Sequence, residues 1–379
     1  MISQYGEGLS NPEAQFSGAL ARQRDYADTL ESYHLIVPAA TDSEETIDAG
    51  GGLVIHPVKA TGAVAFVRAA ARRAAALHSE HHYDAFMVDN PHLGGLLGVY
   101  LKRTLQIPFV LHTMADMIRN PWYRKERLSN HLKSLMMEVA ARSADLIRVS
   151  TKAELERLKD TPFASKLHKV SFYVDQEQIK TKLQSVVAPA HTTKTELLFV
   201  GRLGHQKDLP VLLAAMKQVV AAHPDVRLTI VGGGPLEAEL KAQAKSFGIA
   251  SQVIFTGPVP YEAVIEHFKA ADAFVIASLY EGTCMVLHEA GLAGVPVVAT
   301  DFAGARDLVE DGQTGYLVPI RDTDALAESI LRIVRDQAGA AQMGVALKTA
   351  VEGVDREFAL TEWNGLCQKI TALSTTRAV

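Results

Sequence analysis

The sequence is poor in cysteine and has no long apolar run. Its two cysteines, Cys284 and Cys367, show neither C-x-x-C nor metal-ligand spacing. We therefore expect reduced thiols rather than a disulfide framework, which is typical of a cytoplasmic protein. No apolar run approaches the ~18–20 residues that a transmembrane helix needs. The first nine residues lack a basic stretch followed by an apolar run, so we expect no secretory signal there.

The chain also lacks an excess of positive charge. Its formal net charge is −5, which argues against a dedicated nucleic-acid binder. A length of 379 residues, 48% of them hydrophobic, suits a chain of about two globular domains at ~100–200 residues each. Residues 185–193 are small, polar and interrupted by proline, which is typical of a linker. We predict an amino-terminal domain over 1–185, a second domain over 186–355, and a helix within 356–379 that packs back on the first domain.

Short apolar segments alternate with segments of helical periodicity in both halves. In the second half the candidate strands are 196–201, 227–231, 253–256, 273–277 and 295–299, and in the first half 33–37, 53–56, 85–88, 109–111 and 146–150. Such alternation predicts parallel sheets with helical crossovers. The predicted fold class is α/β, with two doubly wound, Rossmann-like domains facing each other across a cleft.

The densest cluster of candidate site residues lies between Glu281 and Glu289. Glu281 follows a predicted strand, Glu289 lies on the next helix, and the segment 282–285 between them forms the expected helix start. Free N–H groups and the helix dipole favour an anion there. A carboxylate on either side of that start could hold hydroxyl groups flanking a bound phosphate.

Two cations follow the first strand of the second half. Arg202 and Lys207 lie on one strand-to-helix loop and can both point toward the expected binding edge. Fixed cations there would stabilise the charge that develops on a departing diphosphate. The glycines at 232–234 are a weak phosphate-loop signal, since the P-loop pattern G-x-x-x-x-G-K-[ST] is absent.

These segments, in this order, resemble retaining nucleotide-sugar glycosyltransferases of the GT-B fold, family 4, over about residues 197–334. The resemblance rests on Gly201-Arg202 with Lys207, Val231-Gly-Gly-Gly-Pro235, the 253–257 strand, Glu281 to Glu289, Gly294-Val-Pro and Asp311-Gly-Gln-Thr-Gly315. It implies that Glu281 contacts donor-sugar hydroxyls, that Glu289 contacts the ribose, and that Arg202 and Lys207 hold the diphosphate. The loop 255–258 is expected to lie under the nucleobase. The predicted nucleotide-sugar-binding residues are Gly201, Gly232, Gly233, Thr256, Gly257, Pro258, Gly282, Thr283, Cys284, Met285, Val286 and Glu289.

The first half resembles the same family more loosely. Asp89 follows a strand expected to face the cleft, and His112 ends the strand that the resemblance places beside the reaction centre. His112 joins Arg202, Lys207 and Glu281 as catalytic candidates, while Asp89 and Asp116 are acceptor-side candidates. Residues 119–133 combine five basic residues with Trp122 and Tyr123, which suits peripheral contact with the inner face of a membrane as well as a solvated loop.

The resemblance implies transfer of a sugar from a UDP- or GDP-sugar to a hydroxyl acceptor, with retention of anomeric configuration and without metal or cofactor. The acceptor could be a glycan, a lipid-linked sugar or a small molecule, as in polysaccharide or glycolipid synthesis. Two alternatives stay open: a sugar-nucleotide 2-epimerase of the same fold, and a non-catalytic, two-lobed binding protein.

Overall fold

The computed structural model describes residues 1–3, 9, 17–186 and 195–377. By contacts between residues the chain divides into two compact units, Met1–Phe172 with Glu357–Val379, and Tyr173–Arg356. The division falls before the predicted boundary at residue 185, because the helix Gln176–Ser185 packs on helices of the second unit. Most of the predicted linker, 185–193, lies outside the described residues.

Unit 1 is an α/β layer structure. Its strands are β1 (Tyr33–Pro38), β2 (Ile47–Asp48), β3 (Leu53–Val58), β4 (Phe86–Val88), β5 (Phe109–His112), β6 (Leu146–Val149) and β7 (Leu167–Lys169). Its helices are α1 (Ser17–Ala27), α2 (Ala63–His81), α3 (Leu93–Leu105), α4 (Pro121–Glu126), α5 (Ser129–Ser143) and α6 (Lys152–Leu158), with α15 (Arg356–Arg377) at the carboxyl end.

The strands of unit 1 pair in the orders β1-β3-β2 and β4-β5-β6-β7, all in parallel except β2 with β3. Ile2 joins the two groups through parallel bridges to Ile36 and Val88. Trp363 of α15 is buried, stacks on Tyr26 at 4.4 Å between ring centroids, and donates to Thr29 Oγ1 at 3.0 Å. These contacts explain why α15 groups with unit 1.

Unit 2 carries one six-stranded parallel sheet. Its strands are β8 (Thr195–Val200), β9 (Val226–Val231), β10 (Val253–Gly257), β11 (Ala273–Ile276), β12 (Val297–Thr300) and β13 (Gly315–Val318). Its helices are α7 (Gln176–Ser185), α8 (Leu209–Ala222), α9 (Glu237–Ser246), α10 (Tyr261–Ala270), α11 (Met285–Leu292), α12 (Ala303–Arg306), α13 (Thr323–Arg335) and α14 (Gln337–Glu352).

The strand order β10-β9-β8-β11-β12-β13 reverses direction between β8 and β11. In a doubly wound sheet the loops after the two strands at such a reversal diverge, and ligands bind in the crevice between them. Strands β11 and β12 are buried on both faces, as a sheet covered by helices on both sides requires. The strand order therefore predicts that a ligand binds at the loops after β8 and β11.

Candidate active site in unit 2

The loops after β8 and β11 are joined by an ion pair that is largely shielded from solvent. Lys207 ends a 3₁₀ turn after β8, and its Nζ lies 2.6 Å from Glu281 Oε1 in the loop after β11. Both side chains are about 15% exposed, and Ser278 Oγ also donates to Glu281 Oε1 at 3.1 Å. Burial alone would lower the pKa of the Lys207 ammonium, but the Glu281 carboxylate raises it above its ordinary value. The Lys207 ammonium therefore stays charged at neutral pH.

A second set of bonds fixes the same two loops to each other. Leu279 N donates to Gln206 O at 2.8 Å, and Gln206 Nε2 donates to Tyr280 O at 2.7 Å. We did not predict a role for Gln206 from the sequence. Its position between the two predicted cations Arg202 and Lys207 could have indicated one. Because two backbone groups are tied as well as the ion pair, the relative position of the loops does not depend on Lys207 alone.

Helix α11 begins directly after this loop. Cys284 precedes its first residue with a φ of 23°, a strained value for a residue that is not glycine. The Thr283 Oγ1 is buried and has no hydrogen-bond partner in the described part of the chain. Leu287 N already donates to Cys284 O at 2.9 Å, while the free N–H groups at the start of a helix favour an anion. A ligand with phosphate oxygens could satisfy both the amides and the Thr283 hydroxyl.

Glu289 lies two turns along α11. Its Oε1 accepts a hydrogen bond from the Tyr261 hydroxyl at 3.1 Å, and burial raises the pKa of Glu289 to about 7. Tyr261 was missed from the sequence, although it begins α10 only three residues after Pro258. A half-protonated carboxyl beside a phenol can both donate to and accept from a hydroxyl of a ligand.

The glycine-rich loop after β9 packs against the loop after β8. A Cβ built on Gly232 would lie 2.1 Å from the Gly201 carbonyl oxygen, and Gly232 has a φ of +124°. Gly232 N also donates to Gly257 O at 3.0 Å, so the loop contacts the end of β10 as well. This close approach of two backbone segments requires glycine at position 232, whether or not a phosphate binds there.

The remaining nucleotide-side candidates surround these loops. Thr256 Oγ1 donates to Gly257 O at 2.8 Å, and the Pro258 ring lies beside Gly233. The Gly282 carbonyl oxygen packs against Gly304, where an added Cβ would lie 1.9 Å from it. Val286 and Met285 are partly buried against the core of unit 2. Arg202 follows β8 but is exposed and does not share the Lys207–Glu281 pair.

The unit 1 candidates have different surroundings. His112 ends β5, is 2% exposed and stacks on Phe172 at 5.6 Å between ring centroids. Neither ring nitrogen has a partner within the described ranges, and burial, assisted by the Arg148 charge, holds the pKa of His112 well below its ordinary value. Its ring is therefore neutral at physiological pH.

The two acceptor-side candidates are already engaged within unit 1. Asp89 is buried and accepts from Ser3 Oγ. Asp116 accepts from Arg157 Nε at 3.2 Å and from Asn120 Nδ2 at 3.0 Å. Both carboxylates thus have partners that hold the strand-end loops of unit 1.

Two further side chains of unit 1 were not predicted. Arg148 on β6 is 1% exposed, donates to the Tyr26 hydroxyl at 2.8 Å and lies about 5 Å from the ring centroids of Tyr26, Phe172 and Trp363. Glu154 on α6 is fully buried, and burial raises its pKa to about 8. The Thr151-x-x-Glu154 spacing, typical of a helix start, was the available signal for Glu154. Within the described ranges no group of three or more His, Cys, Asp or Glu side chains could hold a metal ion.

Comparison with known proteins gives matches to part of the chain. Residues 180–349 match the family model described as glycosyl transferases group 1. The GDP-mannose-dependent alpha-(1-6)-phosphatidylinositol monomannoside mannosyltransferase of Mycolicibacterium smegmatis is 36% identical over 171 residues, 43% of each chain. The D-inositol 3-phosphate glycosyltransferase of Corynebacterium jeikeium is 28% identical over 263 residues, 64% of this chain and 62% of the relative. The chain thus spans less than two thirds of these curated relatives.

Similarity to solved structures extends over nearly the whole chain. Sucrose-phosphate synthase from Thermosynechococcus elongatus has a TM-score of 0.79 at 20% identity, covering 98% of both chains. Anabaena HepE, solved in complex with UDP and glucose, has a TM-score of 0.70 at 19% identity, covering 98% of this chain and 99% of HepE. At such identities the likeness shows the fold. The predicted fold class is confirmed: the chain has the GT-B fold of two Rossmann-like domains, and its residues 180–349 match the glycosyl transferases group 1 family.

Proposed function

We propose that the protein is a glycosyltransferase that moves a sugar from a nucleoside-diphosphate sugar to a hydroxyl acceptor. The observation that carries this proposal is the Lys207–Glu281 pair beside the start of α11, at the strand-order reversal of unit 2. A cation, free amides and carboxylates are the groups that a sugar joined to a diphosphate and a ribose requires. The match of residues 180–349 to glycosyl transferases group 1 supports the same reaction class.

Each side chain has a role in this proposal. Lys207 and the first amides of α11 bind the diphosphate, Glu281 accepts from hydroxyls of the donor sugar, and Glu289 binds the ribose. The loops at 232–233 and 256–258 surround the base, which is uracil or guanine. Arg202, exposed without ligand, supplies the second cation once the diphosphate is bound.

The stereochemical course belongs to the same proposal. We assign the enzyme to family 4 and propose retention of configuration by a front-face route. The acceptor then enters on the side from which the phosphate leaves, and the leaving phosphate takes the acceptor proton. We keep His112 as a proposed catalytic residue, and because its lowered pKa leaves the ring neutral, its role would be that of a hydrogen-bonding group rather than a cation. Lys207 and Arg202 take the place of a metal, so activity should persist in a chelator.

The acceptor is proposed by chemical class only. A hydroxyl on a glycan, a lipid-linked sugar or a small molecule fits synthesis of a polysaccharide or glycolipid, with Asp89 and Asp116 on the acceptor side. The first relatives named above act on inositol-containing acceptors, which makes inositol derivatives the first to test. A cytoplasmic enzyme on the inner face of the membrane would have access to both nucleotide sugars and lipid acceptors.

The test combines donor binding with product analysis. In a thermal-shift screen of UDP- and GDP-sugars, the true donor at ~100 times its Kd should add about 2.7 kcal/mol to the free energy of unfolding. That donor should then be incubated with inositol and glycan acceptors in EDTA. The product should carry a glycosidic bond, α or β, of the same anomeric configuration as the sugar in the donor.

Donor alone separates the alternatives. A transferase at most hydrolyses it slowly, whereas an epimerase converts it to its C2 epimer and a binding protein leaves it intact. Epimer formation, or donor binding without transfer to any acceptor, would contradict the proposal. A strict Mg²⁺ requirement would contradict only the metal-independent mechanism.

A further inference from the structure

Helix α5 of unit 1 presents an apolar stripe to solvent. The stripe consists of Leu128, which precedes the helix, and Leu132, Leu135 and Val139 on it. Their exposed fractions are 90%, 61%, 61% and 43%, and they are four of the ten exposed large apolar side chains in the described part of the chain. Single exposed apolar residues are common, but four of them on consecutive turns form a continuous surface.

The stripe lies opposite the face with which α5 joins the core. Spacings of four, three and four residues place its members on one side of the helix. The buried residues Met137, Ala140 and Ala141 lie on the other side, where α5 packs against α3. An ordinary surface helix is polar where α5 is apolar, so packing within unit 1 gives no reason for these leucines.

Cations are concentrated in the same segment of the chain as the stripe. Residues 119–142 contain six arginines and lysines against two glutamates. Glu138 is bound by Arg119 and Arg142 at 2.6 and 2.9 Å. Arg124, Lys125 and Arg127 are exposed, and Lys125 lies 5.6 Å from the ring centroid of the half-buried Trp122. Of the two aromatic residues in the segment 119–133, for which we predicted membrane contact, Tyr123 is buried. The apolar surface that this region offers to a membrane therefore lies mainly on α5.

We propose that the stripe and its cations dock on an anionic lipid surface. A helix lying in the plane of such a surface buries its apolar side chains below the headgroups while cations bind the phosphates. A second copy of the chain fits less well, since a symmetric contact would oppose cationic rims. The chain's membrane contact would be peripheral, since no helix within the described residues is both long and apolar enough to cross a bilayer.

Vesicle co-sedimentation of the full chain tests this proposal. We expect binding to phosphatidylcholine vesicles containing about one third phosphatidylglycerol, and much weaker binding to phosphatidylcholine alone or at high salt. The double variant Leu132→Ser/Leu135→Ser should weaken binding to the anionic vesicles at least about tenfold. Arg124→Gln/Lys125→Gln should weaken it about thirtyfold, at roughly tenfold per 1.4 kcal/mol and ~1 kcal/mol per charge.

A matched control shows whether the loss of binding is specific to the stripe or follows from making any exposed apolar residue polar. Val345 on α14 is 66% exposed and lies in unit 2, so Val345→Ser removes an equally exposed apolar residue and should leave vesicle binding unchanged. Circular dichroism checks that each variant folds. Equal binding to both vesicle types, or anionic binding that the leucine variant does not weaken, would overturn the proposal. So would self-association that the leucine variant abolishes, because α5 would then be an interface between copies.

Discussion

Lys207 of unit 2 and Arg148 of unit 1 are both shielded cations near strand ends, and their charges are compensated in different ways. In unit 2 the cation Lys207 meets the carboxylate of Glu281 at 2.6 Å, and each compensates the other. In unit 1 the buried cation Arg148 contacts a phenol and aromatic rings but, within the described residues, pairs with no carboxylate. The buried Glu154 of unit 1 accepts from Thr113 Oγ1 at 2.9 Å and from Ser150 N at 3.3 Å rather than from a cation.

The Lys207–Glu281 pair and the Glu154 carboxyl therefore differ in what each can do. A matched ion pair can exchange partners with a charged ligand while both ions stay ionised. An unmatched carboxyl in the interior becomes protonated instead, and acts as a neutral hydrogen-bonding group. The Lys207–Glu281 pair of unit 2 is thus prepared for an anion, whereas Glu154 acts as a structural group of unit 1, where Asp116 and Arg157 form a matched pair of their own.

The largest expected effect breaks the matched pair. Lys207→Ala should lower kcat by about 10²–10³, the usual cost of losing one group that stabilises transition-state charge. The folded state should persist, because Gln206 still ties the two loops together. Steady-state kinetics with the identified donor measure the loss. Lys348→Ala, which removes an exposed lysine of α14, is the control and should keep wild-type kcat. Normal turnover by Lys207→Ala would contradict the assignment of the diphosphate site.

A smaller effect should follow from removing the unmatched carboxyl of unit 1. The pKa of Glu154, raised by burial to about 8, means that the folded state holds its proton more tightly than the unfolded state. Stability from this group is therefore complete below about pH 4.5 and lost as pH rises toward 8. Glu154→Gln should leave the free energy of unfolding nearly unchanged at pH 5 and raise it by about 2–4 kcal/mol at pH 8.5.

The hydrogen bonds around Glu154 can also be made by the glutamine of the Glu154→Gln variant. Thr113 Oγ1 lies 3.2 Å from Arg148 O and can donate to it, which leaves the hydroxyl free to accept from a protonated acid or an amide. Urea denaturation at the two pH values gives the measurement. Equal destabilisation at both would mean that Glu154 is ionised in the folded state.

The smallest expected effect concerns Glu289, the raised-pKa carboxyl of unit 2. Its pKa of about 7, set mainly by burial, predicts a loss of stability as pH rises from about 4.5 to 7. Glu289→Gln should add about 1–2 kcal/mol at pH 8 and little at pH 5, a modest gain because the carboxyl is partly exposed. The same variant should weaken nucleotide binding.

Thermal unfolding with and without UDP or GDP measures both quantities. Glu328→Gln, on the exposed face of α13, is the matched control and should change neither. A Glu289→Gln variant that is more stable but binds nucleotide as tightly as the wild type would remove Glu289 from the proposed ribose site.

The fold was predictable because it depends on repeated local patterns. Buried strands such as β11 and β12 are short, apolar except for Thr300 at the end of β12, and bounded by turn residues, which makes their parallel pairing evident from the sequence. The end of unit 1 was not predictable to the residue. It depends on which helices α7 packs against, and a polar linker composition does not carry that information.

The site was predictable to a lesser extent. The spacing of Glu281 and Glu289 and the position of Lys207 follow from chain-local motifs, and the structure brings Lys207 and Glu281 together. The contacts of Tyr261 and Gln206 join segments that are distant in sequence. The Arg148 environment likewise combines Tyr26 with Trp363 from opposite ends of the chain. Such tertiary contacts leave no periodic or spaced signal in the sequence.

The central claim is that a diphosphate binds at the start of α11 against Lys207. A crystal structure with the stabilising sugar nucleotide bound tests it most directly. The account predicts diphosphate oxygens within hydrogen-bond distance of Lys207 Nζ, of the backbone amides of residues 284–286 and of Thr283 Oγ1. A nucleotide bound elsewhere, with Lys207 still paired only to Glu281, would contradict it.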